Sequence, residues 1–307
     1  MTSYVLKRLL YGMLTLLVLA TVVFFLMKSI PGSPFELEDK IFPQEYIDNL
    51  NAKYGLDQPI YVQYFNYMKN ALTGNFDNSM VMTGMSVTYI IGRSFPASLK
   101  LGLCAFFFSL IVGVALGTAG ALSKSKKFNY VISVITSLGI SVPNFFVAML
   151  LMILLGVKIP VLPIVGLKTP LHYILPTLAL SFNPISMICR LTRNSLRDVL
   201  SQDYIVLARS KGTSERRIVL KHCLKNAFLP VLTYSGPQFS ALITGSFVIE
   251  SLFSIPGIGY EFVSSVSGRD YTLIMGLAVF LGVIVILINL LTDILSAILS
   301  PQIKLEK

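Results

Sequence analysis

Charged side chains are scarce in this chain. Asp, Glu, Lys and Arg make up 13% of its 307 residues, about half of the ~25% that an ordinary globular domain carries. Set beside 54% apolar residues and a mean hydropathy of +0.73, that deficit excludes a soluble globular surface. It excludes disorder as well, because a disordered chain needs low hydrophobicity and dense charge. Cysteine is sparse too. Cys104, Cys189 and Cys223 form no CxxC spacing, which supports neither a disulfide framework nor a zinc site. The two histidines, His172 and His222, stand in no H-E-x-x-H or H-x-x-E-H context, so a zinc hydrolase has no ligand set. No G-x-x-x-x-G-K-[ST] run occurs, so the chain has no phosphate loop for a nucleotide. The expectation is a non-catalytic chain without cofactor or metal.

What is abundant is uncharged length. Six stretches, 9–27, 101–123, 128–157, 169–189, 226–249 and 271–292, hold no Asp, Glu, Lys or Arg and run to 19, 23, 30, 21, 24 and 22 residues. A helix needs about 20 residues to cross a hydrocarbon core of about 30 Å. The expectation is an all-α polytopic membrane protein of six transmembrane helices, the last running on past Asp293 to about Leu299 and the third too long for one span. Lys7 and Arg8 before the first apolar run would also suit a secretory signal, but the run exceeds a usual signal core and no small-x-small site closes it. Two rivals of another class remain. Gly139-Ile140-Ser141 with His172 sketches an intramembrane serine protease. A secondary carrier would need ionisable groups at mid-depth, whereas only Asp293 lies within a span, near its end, with Glu250 at the outer end of the fifth. The polar breakpoints are uncharged: Pro143-Asn144, Asn183-Pro184, Pro230 and Pro237.

Charge sets the expected orientation. With the N-terminus in the cytoplasm, 16 of the 25 Lys and Arg fall inside, nine of them in the 190–225 loop, as the positive-inside rule requires. The net charge of +10 thereby becomes topology and leaves nucleic acid out. The segments are then a first span (1–30), an extracytoplasmic module (31–95), a core of five spans (96–300) containing a cytoplasmic loop at 201–226, and a cytoplasmic tail (301–307). The module carries a net charge of −3 and is too long for a simple connection. Tyr61, Tyr64 and Phe65 at i, i+3 and i+4 predict a short amphipathic helix within it.

The 190–225 loop is the most structured of the connections. Asp203 to Lys211 reads as a short helix, Gly212 as its stop, Thr213 or Ser214 with Glu215 as a new start, and Arg216 to Asn226 as a second helix. Ile218, His222 and Ala227 then oppose Arg217, Lys221 and Lys225, which makes a compact protrusion with one packed and one solvated side.

Here the chain resembles a known family. Asp203-Tyr204-Ile205, Ala208-Arg209-Ser210-Lys211-Gly212 and His222-Cys223-Leu224-Lys225-Asn226-Ala227 are similar to the cytoplasmic EAA loop of ABC importer permeases. The form matched is that of the oligopeptide/dipeptide/nickel branch. The likeness extends to Arg8-Leu9-Leu10, Pro31-Gly32-Ser33-Pro34, Ser141-Val142-Pro143-Asn144-Phe145, Arg190-Leu191-Thr192-Arg193-Asn194-Ser195, Gly245 to Phe253, and Pro256-Gly257-Ile258-Gly259.

The resemblance implies a type I ABC importer permease in the cell membrane. Its expected partners are a second homologous permease, two cytoplasmic ATPases that bind the ATP, and an extracytoplasmic binding protein. The cargo it implies is first oligopeptides, with dipeptides or nickel and other metal chelates as alternatives. Under it, 203–226 is the coupling helix. Gly212 permits the reversal and Ala208 close approach. Tyr204, Ile218 and Leu224 are apolar anchors, while Arg209, Lys211, Arg216 and Arg217 pair with acidic groups. Asp203, His222 and Asn226 complete the motif, and Val206 stands where the general pattern has glutamate. Ser141, Pro143, Asn144, Asn183 and Pro184, with Glu250, Pro256 and Gly257, are candidates to line or hinge the path.

Overall fold

The computed structural model describes residues 2–35 and 43–299, with side chains over 6–35 and 43–295. Glu36, Glu38, Asp39 and Lys40 of the outer module and Lys304 and Lys307 of the tail lie outside the described residues. The described chain is helical, with one isolated bridge between Asn78 and Ser86. In order it runs α1 (Thr2–Ser29), α2 (Gln44–Tyr54), α3 (Ile60–Thr73), α4 (Val87–Leu122), α5 (Lys126–Ser141) and α6 (Asn144–Leu151), the last continuing as a π turn over Met152–Lys158. A 3-10 turn at Pro170–Tyr173 leads into α7 (Ile174–Leu200). Then follow α8 (Asp203–Ser210), α9 (Glu215–Arg217), a π turn at Ile218–Cys223, α10 (Leu224–Ala227), α11 (Leu229–Ile243), α12 (Phe247–Leu252), α13 (Ile258–Ser267) and α14 (Tyr271–Leu299).

Among the described residues, four helical stretches are long and apolar enough to cross a membrane: Leu6–Ser29, Val87–Leu122, Pro170–Leu200 and Tyr271–Leu295. The expected third span is instead a pair, α5 and α6 with its π turn, bent by 108°. The cause is local. Pro143 has no N–H and forces the residue before it out of helical geometry, so Val142 takes φ −86°, ψ 126°. The helix restarts when Phe146 N and Val147 N donate to Pro143 O. The expected fifth span, 226–249, ends earlier than its uncharged window: α11 stops at Ile243 and Gly245 follows at φ +87°. At its start Phe228 joins α10 to α11, its N donating to Leu224 O and its O accepting from Leu232 N. Asn183-Pro184 breaks nothing. Pro184 is buried within a continuous α7, as prolines in membrane helices are when neighbours pack around the freed carbonyl.

The chain forms two compact units, one of residues up to Ser98 with Pro256–Leu287 and the other of Leu99–Ile255 with residues from Ile288. In the first, Ala20, Phe24 and Met27 of α1 pack on Tyr67 of α3 and on Ile274 and Met275 of α14. Thr21 Oγ1 and the Tyr64 hydroxyl share a hydrogen bond of 2.9 Å. The amphipathic helix is α3, but its buried stripe is Tyr64, Tyr67, Met68 and Ala71, while Tyr61 and Phe65 stay exposed. Burial pushes the Tyr67 phenol well above its usual range.

Asp270 anchors the same unit. Its buried carboxylate accepts from Ser79 Oγ, from Met80 N (3.1 Å) and Val81 N (3.4 Å), from Thr272 Oγ1 (3.0 Å), and, as a helix cap, from Leu273 N (3.1 Å). A buried carboxylate is tolerable when donors surround it in this way.

Candidate functional site

The protrusion leaves α7 at Leu200 and is part of the second unit. Its reversal is a Schellman motif: Gly212 N donates to Arg209 O (2.9 Å) and Thr213 N to Ala208 O (3.2 Å). Gly212 holds φ +77° there, in the left-handed region that a Cβ disfavours. Ser214 begins α9, and Glu215 opposes the positive end partial charge of the peptide dipoles.

The second limb is not the single α-helix expected over 216–226. It passes through a π turn at Ile218–Cys223. An i→i+5 turn places Cys223 above Ile218, so both side chains reach the same interior. That interior is Leu196, Ile205, Ile218, Cys223 and Ala227, all fully buried, with Ala121, Val199, Leu200 and Ala208 around them. Burial pushes the Cys223 thiol up, with Arg209 opposing.

Two polar ties close the limbs. Arg209 Nε donates to Glu215 Oε1 at 2.8 Å and Nη2 to Oε2 at 3.3 Å. This fork holds the Glu215 carboxyl below its usual range and pushes the Arg209 guanidinium up. Asn226 Nδ2 donates to the Tyr204 hydroxyl at 3.0 Å.

The expected loop residues therefore divide. Asp203, Tyr204, Lys211, Arg216 and Arg217 are exposed; Ala208, His222 and Leu224 are half-buried; and Asn226 is exposed but bonded to Tyr204. Ile218 is fully buried, so it closes the interior and cannot be an outward anchor. Arg209 is engaged within the loop by Glu215. The outward apolar surface adds Leu207 and Leu220, which the motif did not single out, to Tyr204 and to Val206 at the glutamate position. Val206, Leu207 and Leu220 are 57%, 55% and 69% exposed, beside Tyr204 at 43%. Helical phase carries the signal for two of them. With Ile205 and Ala208 turned inward at i and i+3, Val206 and Leu207 must face out. Lys211, Arg216, Arg217 and Lys221 supply the basic side chains of this surface. The arrangement is a closed knob whose two limbs carry exposed apolar and exposed basic side chains.

The path candidates gather only in part. Ser141, Pro143 and Asn144 form the elbow between α5 and α6. Asn183 Nδ2 lies 3.5 Å from Ile140 O, which sets the Asn183-Pro184 step beside that elbow. A Cβ on Gly139 would collide with Ser186, so α5 and α7 touch closely there. The side-chain oxygen of Asn144 is buried without a partner among the described residues. Glu250 is buried on α12, while Pro256 and Gly257 belong to the first unit, where Gly257 precedes α13. His172 is committed locally, its Nδ1 lying 2.8 Å from Thr169 Oγ1. Among the described residues no three His, Cys, Asp or Glu side chains form a metal-holding group.

Comparison with known proteins fits this geometry. Residues 109–305 match the family described as "Binding-protein-dependent transport system inner membrane component", and residues 1–101 match the N-terminal region of such membrane components. The oligopeptide transport system permease protein OppB of Haemophilus influenzae is 41% identical over 306 residues, covering 99% of this chain and all of the relative. The dipeptide transport system permease protein DppB of Bacillus subtilis is 42% identical over 307 residues, covering 100% of this chain and 99% of the relative. Among solved structures, one titled as inward facing conformations of the MetNI methionine ABC transporter aligns with a TM-score of 0.57 at 16% identity, over 69% of this chain and 97% of that one.

Proposed function

The chain belongs to the family of binding-protein-dependent transport system inner membrane components, and from that premise we propose that it couples peptide import to ATP hydrolysed by separate subunits. It is a multi-pass membrane protein with the fold of an ABC importer permease. In this reading a second homologous permease completes the path, two ATPases sit on the cytoplasmic side, and a binding protein delivers cargo from outside. Both termini and the 201–226 protrusion are cytoplasmic, in keeping with the basic charge of that loop.

The observation that carries the proposal is the exposure of Tyr204, Val206, Leu207 and Leu220 on a knob whose own interior is already filled. Apolar side chains together with charged ones are the usual makeup of a protein interface. Lys211, Arg216 and Arg217 then give registry against acidic groups more than raw affinity. Transport is an exchange between two arrangements of the helices, biased by ATPase closure. A knob tied by the Schellman turn and the Arg209–Glu215 fork moves as a solid piece, as such a transmission needs. The 108° elbow at Val142-Pro143 and the neighbouring Asn183 are the candidate path or hinge.

Oligopeptides are the first cargo class, supported by the relatives named for them. Dipeptides are the second, supported by dipeptide permeases at equal identity. The test is co-purification of the assembled complex. Leu207→Glu with Leu220→Glu places two charges on this surface without touching the interior. ATPase recovery should fall at least tenfold, since burying one such side chain is worth about 1.5–3 kcal/mol, while membrane insertion is kept. Full recovery of the ATPase would refute the docking role.

A further inference from the structure

The transport reading leaves Arg190-Leu191-Thr192-Arg193-Asn194-Ser195 without a task, although the motif faces a cavity. Arg190, Arg193 and Arg197 stand at i, i+3 and i+7 of α7 and so share one face. Across from them, α5 presents Ser133 and Ser137. Together with Asn194 these side chains line a cavity of about 380 Å³ within the second unit.

The charge in this cavity is one-sided. No Asp or Glu lines it, and among the described residues none of the three arginines has an ion pair. Arg193 Nη1 donates to Ser133 Oγ at 2.8 Å, and its buried Nε has no acceptor. Arg197 Nη2 donates to Gly120 O at 3.2 Å and to Asn129 Oδ1 at 3.3 Å. Arg190 makes no hydrogen bond among the described residues. Like charges one turn apart weaken a helix, so three guanidiniums gathered over a hydroxyl-lined hollow call for an anion. Guanidinium forks match the paired oxygens of a phosphate or carboxylate, and hydroxyl and amide donors complete such a shell.

We propose that this cavity is an oxyanion site that takes a phosphate group. The group arrives either on the headgroup of an anionic phospholipid or as free phosphate. The site rests on the geometry of α5 and α7 alone, and its test reads binding rather than transport, so it stands independently of the peptide-import reading.

The complex, assembled with its partner subunits, is placed in nanodiscs of phosphatidylcholine alone or mixed with phosphatidylglycerol. Bound lipid is read by native mass spectrometry and stability by thermal unfolding, since a ligand that binds only the native state raises its melting temperature. Arg190→Gln is the informative variant, because it removes a charge without removing a hydrogen bond of the fold. The wild type should retain phosphatidylglycerol, or be stabilised by inorganic phosphate over chloride at equal ionic strength. R190Q should bind the same probe at least tenfold more weakly, as expected for loss of one charge-assisted partner. Arg193→Lys keeps the charge but loses the planar fork, and carries the same comparison should R190Q fail to assemble. Retention of lipid alone assigns the headgroup source, and stabilisation by phosphate alone assigns the soluble one. If neither probe distinguishes the wild type from both variants, the arginines are only reaching toward solvent and the proposal is overturned.

Discussion

Asn226 donates its side-chain amide to the Tyr204 hydroxyl over 3.0 Å, so the end of the second limb of the protrusion grips the beginning of the first. A neutral hydrogen bond of this kind contributes about 0.5–1.5 kcal/mol. Tyr204→Phe keeps the ring and removes the acceptor. Amide exchange across 203–217 should quicken by about threefold to tenfold, the local counterpart of that energy, and exchange in α1 should not change. Unchanged exchange at Gly212 and Thr213 would show that the two limbs are held by the apolar interior alone.

The reversal at Gly212 sets a ranking. At φ +77° an L-residue costs about 1–2 kcal/mol, Asn the least and β-branched residues the most. Gly212→Asn should retain most ATPase recovery, Gly212→Val should lose much of it, and Gly212→Pro should abolish it because the N–H bonded to Arg209 O disappears as well. Equal recovery for Asn and Val would mean that the left-handed turn does not matter to docking.

The Arg209–Glu215 pair gives the protrusion a pH signature. Glu215 is held below the usual carboxylate range by the hydrogen bond from Arg209. A depressed acid contributes its stabilisation in full above its unfolded value of about 4.3 and loses it as pH falls through the folded value. Exchange in 209–215 should therefore be flat across neutral pH after correction for the intrinsic rate, and should rise only in acid. Glu215→Gln should show the acid behaviour at neutral pH. A transition near neutral pH would contradict the assignment to Glu215.

Cys223 reports on the interior. It is fully buried, and burial raises its thiol above the ordinary value, so both access and thiolate content oppose alkylation. With Cys104 and Cys189 replaced by Ser, a maleimide should label the folded complex slowly. Ile218→Ala opens a cavity beside Cys223 at a cost of about 2–5 kcal/mol and should speed labelling severalfold. Rapid labelling without that substitution would contradict the packed interior.

In the first unit the burden falls on Asp270. Asp270→Ala strands Met80 N, Val81 N and Leu273 N, which lose their acceptor together, and a buried donor left without a partner costs about 1–3 kcal/mol. Limited proteolysis at 77–86 should accelerate strongly, and Asp270→Asn should lie between the variant and the wild type. Equal protease resistance in all three would deny the carboxylate its anchoring role.

What could be read in advance follows from which interactions are local. The break at Val142-Pro143 and the reversal at Gly212 are legible because proline and left-handed glycine act on their own backbone. The helical nature of the uncharged windows is legible because lipid leaves the backbone no other partner. The continuous α7 through Pro184, the π turn that aligns Ile218 with Cys223, and the Arg209–Glu215 fork are not legible. Each is decided by packing or by a partner across a reversal. The end of the 226–249 window was not legible for the same reason: absence of charge measures apolarity, and only the backbone at Gly245 shows that α11 stops at Ile243. The outward apolar surface was half legible, since phase exposes Val206 and Leu207, but Leu220 lies in the π turn, where α-helical phase does not apply.

The docking role of the protrusion is tested most directly by a photo-crosslinking amino acid placed at Leu220 in the assembled, membrane-embedded complex. The expected result is a covalent adduct with the ATPase subunit from Leu220, and none from the same probe at the exposed Phe65 of α3. An ATPase adduct from Phe65, or none from Leu220 in a complex that still hydrolyses ATP, would contradict it.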